Sequence, residues 1–138
     1  MIQVPCPAKV NLFLEVTGKR PDGYHRLATL FAKINVYDVL ELEAAPRGVA
    51  LEIVSEDALS AGPDNLVRRA AESFIKVFRV DGGARIRLVK RIPMGAGLGG
   101  GSSDAAGTLL GLAKVFDMKL GGKRKAVLKR LAVSLGAE

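Results

Sequence analysis

Residues 95–101 read GAGLGGG, and Ser102-Ser103-Asp104-Ala105-Ala106 follow at once. Five glycines in seven positions are costly to order, because glycine loses more backbone freedom on folding than any other residue. Such a run persists only where the backbone itself has a task. Residues 84–90 before it alternate in the manner of a strand, and the residues after it predict a helix from Ser102 or Ser103 to about Val115. A chain that leaves a strand, passes through glycines and starts a helix can turn several backbone N–H groups onto one point. The helix start adds unpaired N–H groups and the positive end of its macrodipole. Together these make a cradle for phosphate, where the hydroxyls of Ser102 and Ser103 suit phosphate or an accompanying Mg²⁺.

The rest of the chain supplies the frame. Residues 8–16 alternate, with Val10, Leu12, Leu14 and Val16 against Asn11, Phe13 and Glu15, and predict a strand. Pro21-Asp22-Gly23 marks a turn within residues 18–25. Residues 27–44 predict two successive strands broken near Tyr37-Asp38, and residues 49–54 another. From 66 to 79 the period changes: Leu66, Ala70, Phe74, Val77 and Phe78 recur at helical spacing, with Asp64 or Asn65 as N-cap. Residues 123–134 predict a third, amphipathic helix. No repeat or long linker divides the sequence. The expectation is one α+β domain over 1–138, a two-layer mixed sheet with helices on one face.

At 138 residues and 49% hydrophobic content the chain can bury a real core. Its apolar runs are too short for a membrane span, and residues 1–16 lack the basic start and cleavage site of a signal peptide. One cysteine, Cys6, excludes an internal disulfide; it suits a reducing cytoplasm and reads as a small, partly buried residue at a strand start. The net charge of +7 is uneven. Residues 1–65 hold 6 Lys/Arg and 9 Asp/Glu, whereas residues 66–138 hold 15 and 5. That balance favours an anionic partner, although residues 123–130 also read as an ordinary solvated helix face.

Phosphate loops come in several patterns. Residues 95–100 formally match the dinucleotide fingerprint G-x-G-x-x-G, but the acidic residue about twenty positions on, Asp117, falls at a helix end instead of a strand tip. A nucleoside-triphosphate P-loop needs Lys after its last glycine, and Gly101-Ser102 stands there. Pro93, Gly97-Leu98-Gly99, Ser102-Ser103 and Ala105-Ala106 resemble the phosphate loop of the GHMP superfamily of small-molecule kinases. Residues 7–31, PAKVNLFLEVTGKRPDGYHRLATLF, and residues 63–71, PDNLVRRAA, carry the likeness further, to the family of kinases acting on diphosphocytidyl-methylerythritol. The resemblance covers essentially the whole chain.

That resemblance implies an N-terminal ATP-binding domain of the ribosomal-protein-domain-2-like superfold with a left-handed βαβ crossover. It implies transfer of a phosphoryl group from ATP, with Mg²⁺, to the 2-hydroxyl of the cytidine-diphosphate-linked methylerythritol, in the non-mevalonate route to isoprenoids. Lys9 is then catalytic, offsetting charge on the transferred group; alone it reads as an exposed strand lysine. Asn11 is implied to hold the methylerythritol hydroxyls, and Tyr24 and His25 the cytidine; alone that pair reads as packing. Asn65, Lys90, Pro93, Gly95, Gly97, Leu98, Gly99, Gly100, Gly101, Ser102 and Ser103 are implied to bind ATP, with Ser102 and Ser103 nearest the metal. Asp104 reads as a favourable first-turn carboxylate and not as a metal ligand.

The sequence departs from the family at one point. Its general base is an aspartate in Leu-Gly-Ala-Asp-Val-Pro, and here LGAE ends on Glu138, one methylene longer. The family's second, C-terminal domain has no counterpart in the 138 residues. The expectation is therefore an N-terminal piece, inactive alone and prone to self-association through the surface the second domain would cover. The partner is expected to be a small molecule, with neither nucleic acid nor membrane. Two alternatives stand beside this reading: another GHMP kinase, which GYH at 23–25 disfavours, and an RNA-binding module of the same superfold, which an aromatic content of 5% disfavours.

Overall fold

The computed structural model describes residues 1–19, 25–56, 59–93 and 100–135, with the backbone alone for 9–19 and 25–35. Its elements run β1 (Ile2–Lys19), β2 (His25–Ala45), β3 (Val49–Val54), α1 (Leu66–Val77), β4 (Gly83–Val89), α2 (Gly100–Val115) and α3 (Gly122–Ser134). The four strands form one mixed sheet in the order β1-β2-β4-β3, antiparallel except for the parallel β3–β4 pair that α1 connects. The expected α+β architecture is present.

Period-two alternation divides the sheet into two unlike faces. Leu40 and Leu42 of β2 stand opposite Leu88 and Ile86 of β4, all buried, and Ile53 and Leu51 of β3 continue the row. The intervening positions are charged: Arg85 bonds Glu43 at 2.9 Å and Arg87 bonds Glu41 at 3.3 Å across the outer face. Such exposed pairs contribute little to stability, but they keep that face in water. The core therefore forms on the other side, where Phe74, Leu109 and Leu112 of α1 and α2 meet the leucines of the sheet.

Several sequence expectations are corrected here. Residues 27–44 belong to one strand, because the break expected near Tyr37-Asp38 is absorbed as a β-bulge. Between Pro7↔Tyr37 and Lys9↔Lys33 the register slips by two residues without ending the pairing. Helix α2 begins at Gly100, two residues earlier than the serines suggested. In α1 the buried stripe is Val67, Ala70, Ala71 and Phe74, so Val77 is exposed. Helix α3 buries only Leu128 and is largely solvated rather than amphipathic. Cys6 lies within β1 and is fully buried.

Helix α1 starts where expected. Asn65 is its N-cap: its side-chain oxygen accepts from the amides of Val67 at 2.8 Å and Arg68 at 3.3 Å. Its side-chain nitrogen donates to the Ser60 carbonyl at 2.9 Å, tying the preceding loop to the helix. Replacing Asn65 with alanine is expected to cost about 1–2 kcal/mol, read as a lowered urea midpoint with an unchanged slope.

Candidate functional site

The start of α2 lies against the end of β4, with the start of α1 beside it. Gly100 is buried under Ile92: a Cβ there would come within 2.9 Å of Ile92 Cγ2 and 3.3 Å of Lys90 Nζ. A Cβ on Gly101 would approach Leu66 Cδ1, the first residue of α1, at 3.3 Å. The two glycines let two helix N-termini and the β4 end crowd together. Ser102 and Ser103, in the first turn of α2, are both partly exposed.

Beneath this start lies a buried charged cluster. Lys90 Nζ donates to Asp38 Oδ2 at 2.6 Å and to Asp104 Oδ2 at 2.9 Å. Asp38 Oδ1 accepts from the backbone amides of Arg91 at 2.7 Å and Ile92 at 2.9 Å. Asp38 is 0% and Asp104 2% exposed, so water does not share the load. One carboxylate on β2 therefore holds the chain just before the glycine run, and through Lys90 it also holds the helix just after it.

Two carboxyls and one ammonium cannot all be charged in a dry site without an unbalanced negative charge. Burial, reinforced by the hydrogen bond with Asp38, pushes the Asp104 carboxyl up to about 8 against the opposing pull of Lys90. For Asp38, burial would raise the carboxyl. The hydrogen bonds from Asp104, Ile92, Lys90 and Arg91 outweigh it and hold Asp38 below the usual range. At Lys90 burial would lower the ammonium, but its hydrogen bonds to Asp38 and Asp104 and their charges outweigh it and hold it above its usual range. At neutral pH Asp104 carries the proton and the cluster is close to neutral. Asp104 Oδ1 is buried and has no hydrogen-bond partner among the described residues. Burial, with the charges of Asp104 and Asp38 behind it, also pushes the nearby Cys6 thiol up to about 12.

The sequence reading therefore misplaced Asp104. It lies beyond the first turn of α2 and points into the cluster, because positions 104, 108 and 112 form a buried stripe of the helix. Asp38 was missed altogether. Its signal was its parity with Leu40 and Leu42, which puts a carboxylate on the apolar face of β2. Lys90, expected at the nucleotide, stands at the end of β4 just before the glycine run with its ammonium held by the two aspartates.

The other expected site residues divide in two. Lys9 and Asn11 lie on β1 in unbroken register opposite Lys33 and Phe31, and His25 opens β2 opposite Lys19; their side chains lie outside the described residues. Tyr24, Gly95, Gly97, Leu98, Gly99 and Glu138 lie outside the described residues altogether, and Pro93 is exposed at the end of the described approach to the glycine run. Among the described residues no three His, Cys, Asp or Glu side chains converge as metal ligands. Among them no helix is long and apolar enough to cross a membrane.

Residues 65–138, more than half of the chain, match the model of the GHMP kinases N terminal domain. The chain belongs to the GHMP kinase family. Within the family it is 47% identical, over its full length, to a protein of Acidovorax sp. (strain JS42) named 4-diphosphocytidyl-2-C-methyl-D-erythritol kinase. A protein of the same name from Prochlorococcus marinus (strain MIT 9312) is 46% identical over 99% of the chain. These matches take up 47% and 43% of the relatives, so the chain spans about half their length. A crystal structure of 4-(cytidine 5'-diphospho)-2C-methyl-D-erythritol kinase superposes with a TM-score of 0.78 at 43% identity, over 99% of this chain and 46% of that one. Homoserine kinase from Cytophaga hutchinsonii, 18% identical with a TM-score of 0.72 over 97% of this chain and 40% of its own, shares the GHMP kinase fold.

Proposed function

We propose that this chain is the nucleotide-binding part of a kinase that phosphorylates the 2-hydroxyl of 4-diphosphocytidyl-2-C-methyl-D-erythritol, a step toward isoprenoid precursors in the cytoplasm. One observation carries the reading: the glycine run opens directly into the half-exposed serines of α2, in a chain 47% identical to kinases of that name. The residues at the start of α2 fit a nucleotide phosphate. Gly100 has no room for a side chain, the N–H groups of a helix's first turn point out of its end, and a protonated Asp104 keeps negative charge from building up beneath them.

ATP, when bound, supplies the phosphoryl group, and Mg²⁺ neutralises its charge. The glycine-run residues and Ser102 and Ser103 hold the phosphates, Ser102 and Ser103 also serving the metal. Asn65, at the neighbouring helix start, borders the nucleoside. By family resemblance Lys9 offsets charge on the transferring group, and the carboxylate at position 138 accepts the hydroxyl proton. Asn11, Tyr24 and His25 hold the cytidine-linked substrate. The remaining half of the family's length completes that cleft, so the 138 residues alone are expected to bind nucleotide without turning over.

Calorimetric titration with a non-hydrolysable ATP analogue and Mg²⁺ tests the reading. Saturable binding is expected, lost by more than about tenfold in Gly100→Val, whose side chain would displace Ile92 and Lys90. Absence of binding by a folded chain, or equal binding by the variant, would overturn it.

A further inference from the structure

We propose that Arg68 is a positioning residue for the nucleoside end of the nucleotide site. It holds the loop before α1 as a wall, and so makes the site prefer a nucleoside triphosphate to a bare polyphosphate. This rests on the reading of the α2 start as a nucleotide site, and it adds a specificity determinant to that site.

Residues 59–65 form the last part of the loop between β3 and α1. Two side chains from the helix start fix their position. The Asn65 oxygen accepts from the amides of Val67 and Arg68, its nitrogen donates to the Ser60 carbonyl, and the residue is 8% exposed. Its amide group is largely spent on the protein, so it shapes the loop more than it offers itself to a ligand. Arg68 acts over a longer range. Its Nε donates to the Ala61 carbonyl at 2.6 Å and its Nη1 to the Val49 carbonyl at 2.9 Å. Nη1 also meets Glu72 Oε1, one turn on, at 3.5 Å.

One guanidinium thus ties sheet edge, loop and helix together. Val49 opens β3, the last strand of the sheet. The neighbouring Gly48 carbonyl bonds Ala84 of β4, so by strand alternation the Val49 carbonyl faces away from β4, and Arg68 takes it. A planar fork carries its donors on separate nitrogens in fixed directions, which suits two carbonyls held by different segments. The Arg68 side chain is 22% exposed, against 56% for Glu72. A pair with Glu72 alone would serve only α1, whereas the two carbonyls lie seven and nineteen positions away.

The loop so held stands beside the phosphate-binding helix start. Leu66, directly after it, lies against α2: a Cβ on Gly101 would come within 3.3 Å of Leu66 Cδ1. With the phosphates at the α2 start and Asn65 bordering the nucleoside, base and ribose lie along this loop, where Ser60, Pro63 and Asp64 are exposed. Releasing the loop leaves the phosphate amides in place, because they belong to α2, but it opens the wall around the nucleoside. Holding the loop in the free protein removes the cost of ordering it on binding.

The test begins with the free protein. NMR order parameters are measured for the amides of Ala61, Gly62 and Phe74 in the 138-residue chain, in Arg68→Met and in Arg68→Lys. Methionine removes the fork. Lysine keeps the charge and serves if methionine fails to fold; its single nitrogen replaces two donors, so the same effects are expected in smaller measure. Ala61 and Gly62 are expected near about 0.85 in wild type and below about 0.6 in Arg68→Met, with Phe74 in mid-α1 unchanged. A loop equally ordered in wild type and variants, or a fall shared by Phe74, would overturn the tether whatever the chain binds. The second arm compares, by calorimetry with Mg²⁺, the non-hydrolysable ATP analogue with inorganic tripolyphosphate. Affinity for the analogue is expected to fall about fivefold in Arg68→Met and about twofold in Arg68→Lys, with tripolyphosphate unchanged. A merely structural role would weaken both ligands alike. That outcome, or no loss for either ligand, would overturn the assignment. A tethered loop in a chain that binds neither ligand would overturn the nucleotide reading, and this assignment with it, while leaving the tether standing.

Discussion

Replacing Asp38 with alanine is expected to destabilise the domain by about 3–5 kcal/mol, against a total stability for such domains of about 5–15 kcal/mol. The side chain is wholly buried and serves three donors: the Lys90 ammonium and the amides of Arg91 and Ile92. Its removal leaves an ammonium in a dry site facing a carboxyl that is mostly protonated, and it orphans two backbone N–H groups. Replacing Asp104 with alanine removes a neutral group that holds Lys90 by one hydrogen bond, and about 1–3 kcal/mol is expected. The order matters more than either value. Urea titrations at pH 7 should place Asp38→Ala well below Asp104→Ala, and the reverse order would mean that Asp104 is the ionised partner.

Gly107→Val is expected to cost about 3 kcal/mol, the other large effect in this fold. Helix α2 crosses β1 and β2 on Gly107 and Gly111, one turn apart, so its backbone lies close to the sheet. A Cβ at 107 would stand 2.5 Å from Cys6 Sγ and 3.2 Å from Leu40 Cδ1, and at 111 it would stand 2.8 Å from Leu42 Cδ1. Cys6, Leu40 and Leu42 are all fully buried, so each can yield only by shifting its neighbours in a close-packed core. The roughly 1 kcal/mol of helix propensity gained by replacing glycine does not offset the clash. Cys6→Ala removes the nearest atom, so the double variant should recover at least about 0.5 kcal/mol relative to the sum of the single changes. Strict additivity in thermal or urea unfolding would mean that α2 has shifted away from β1 instead of pressing on Cys6.

The same close approach steadies α2, whose start is the proposed phosphate site. A helix seated on glycines at 107 and 111 is fixed at its middle, and the cluster of Asp38, Lys90 and Asp104 fixes its start. Glycine has therefore two uses within twelve residues: backbone room at Gly100, where Ile92 and Lys90 press in, and interlayer distance at Gly107.

Much of this arrangement can be read without coordinates. Period two in residues 49–54 and 84–90 and period 3.6 in 66–79 are local signals, because each side chain's face follows from its neighbours alone; those elements lie within one or two residues of where they were expected. Asn65 as a cap is legible for the same reason, since a cap bonds within its own turn. The glycine run and the serines after it carry, in one dimension, the pattern behind the proposed phosphate cradle, and the blocks around it carry the family likeness. Tertiary structure decided what depends on two distant segments meeting. Residues 33–37 end no strand because the register with β1 absorbs the irregularity as a bulge, and a bulge exists only once the partner is in place. Asp104 is not a solvated first-turn acid because Asp38, sixty-six positions earlier, and Lys90, fourteen earlier, converge on it. A charge's ionisation is set by the dielectric and by the groups around it, and neither is a property of its place in the sequence.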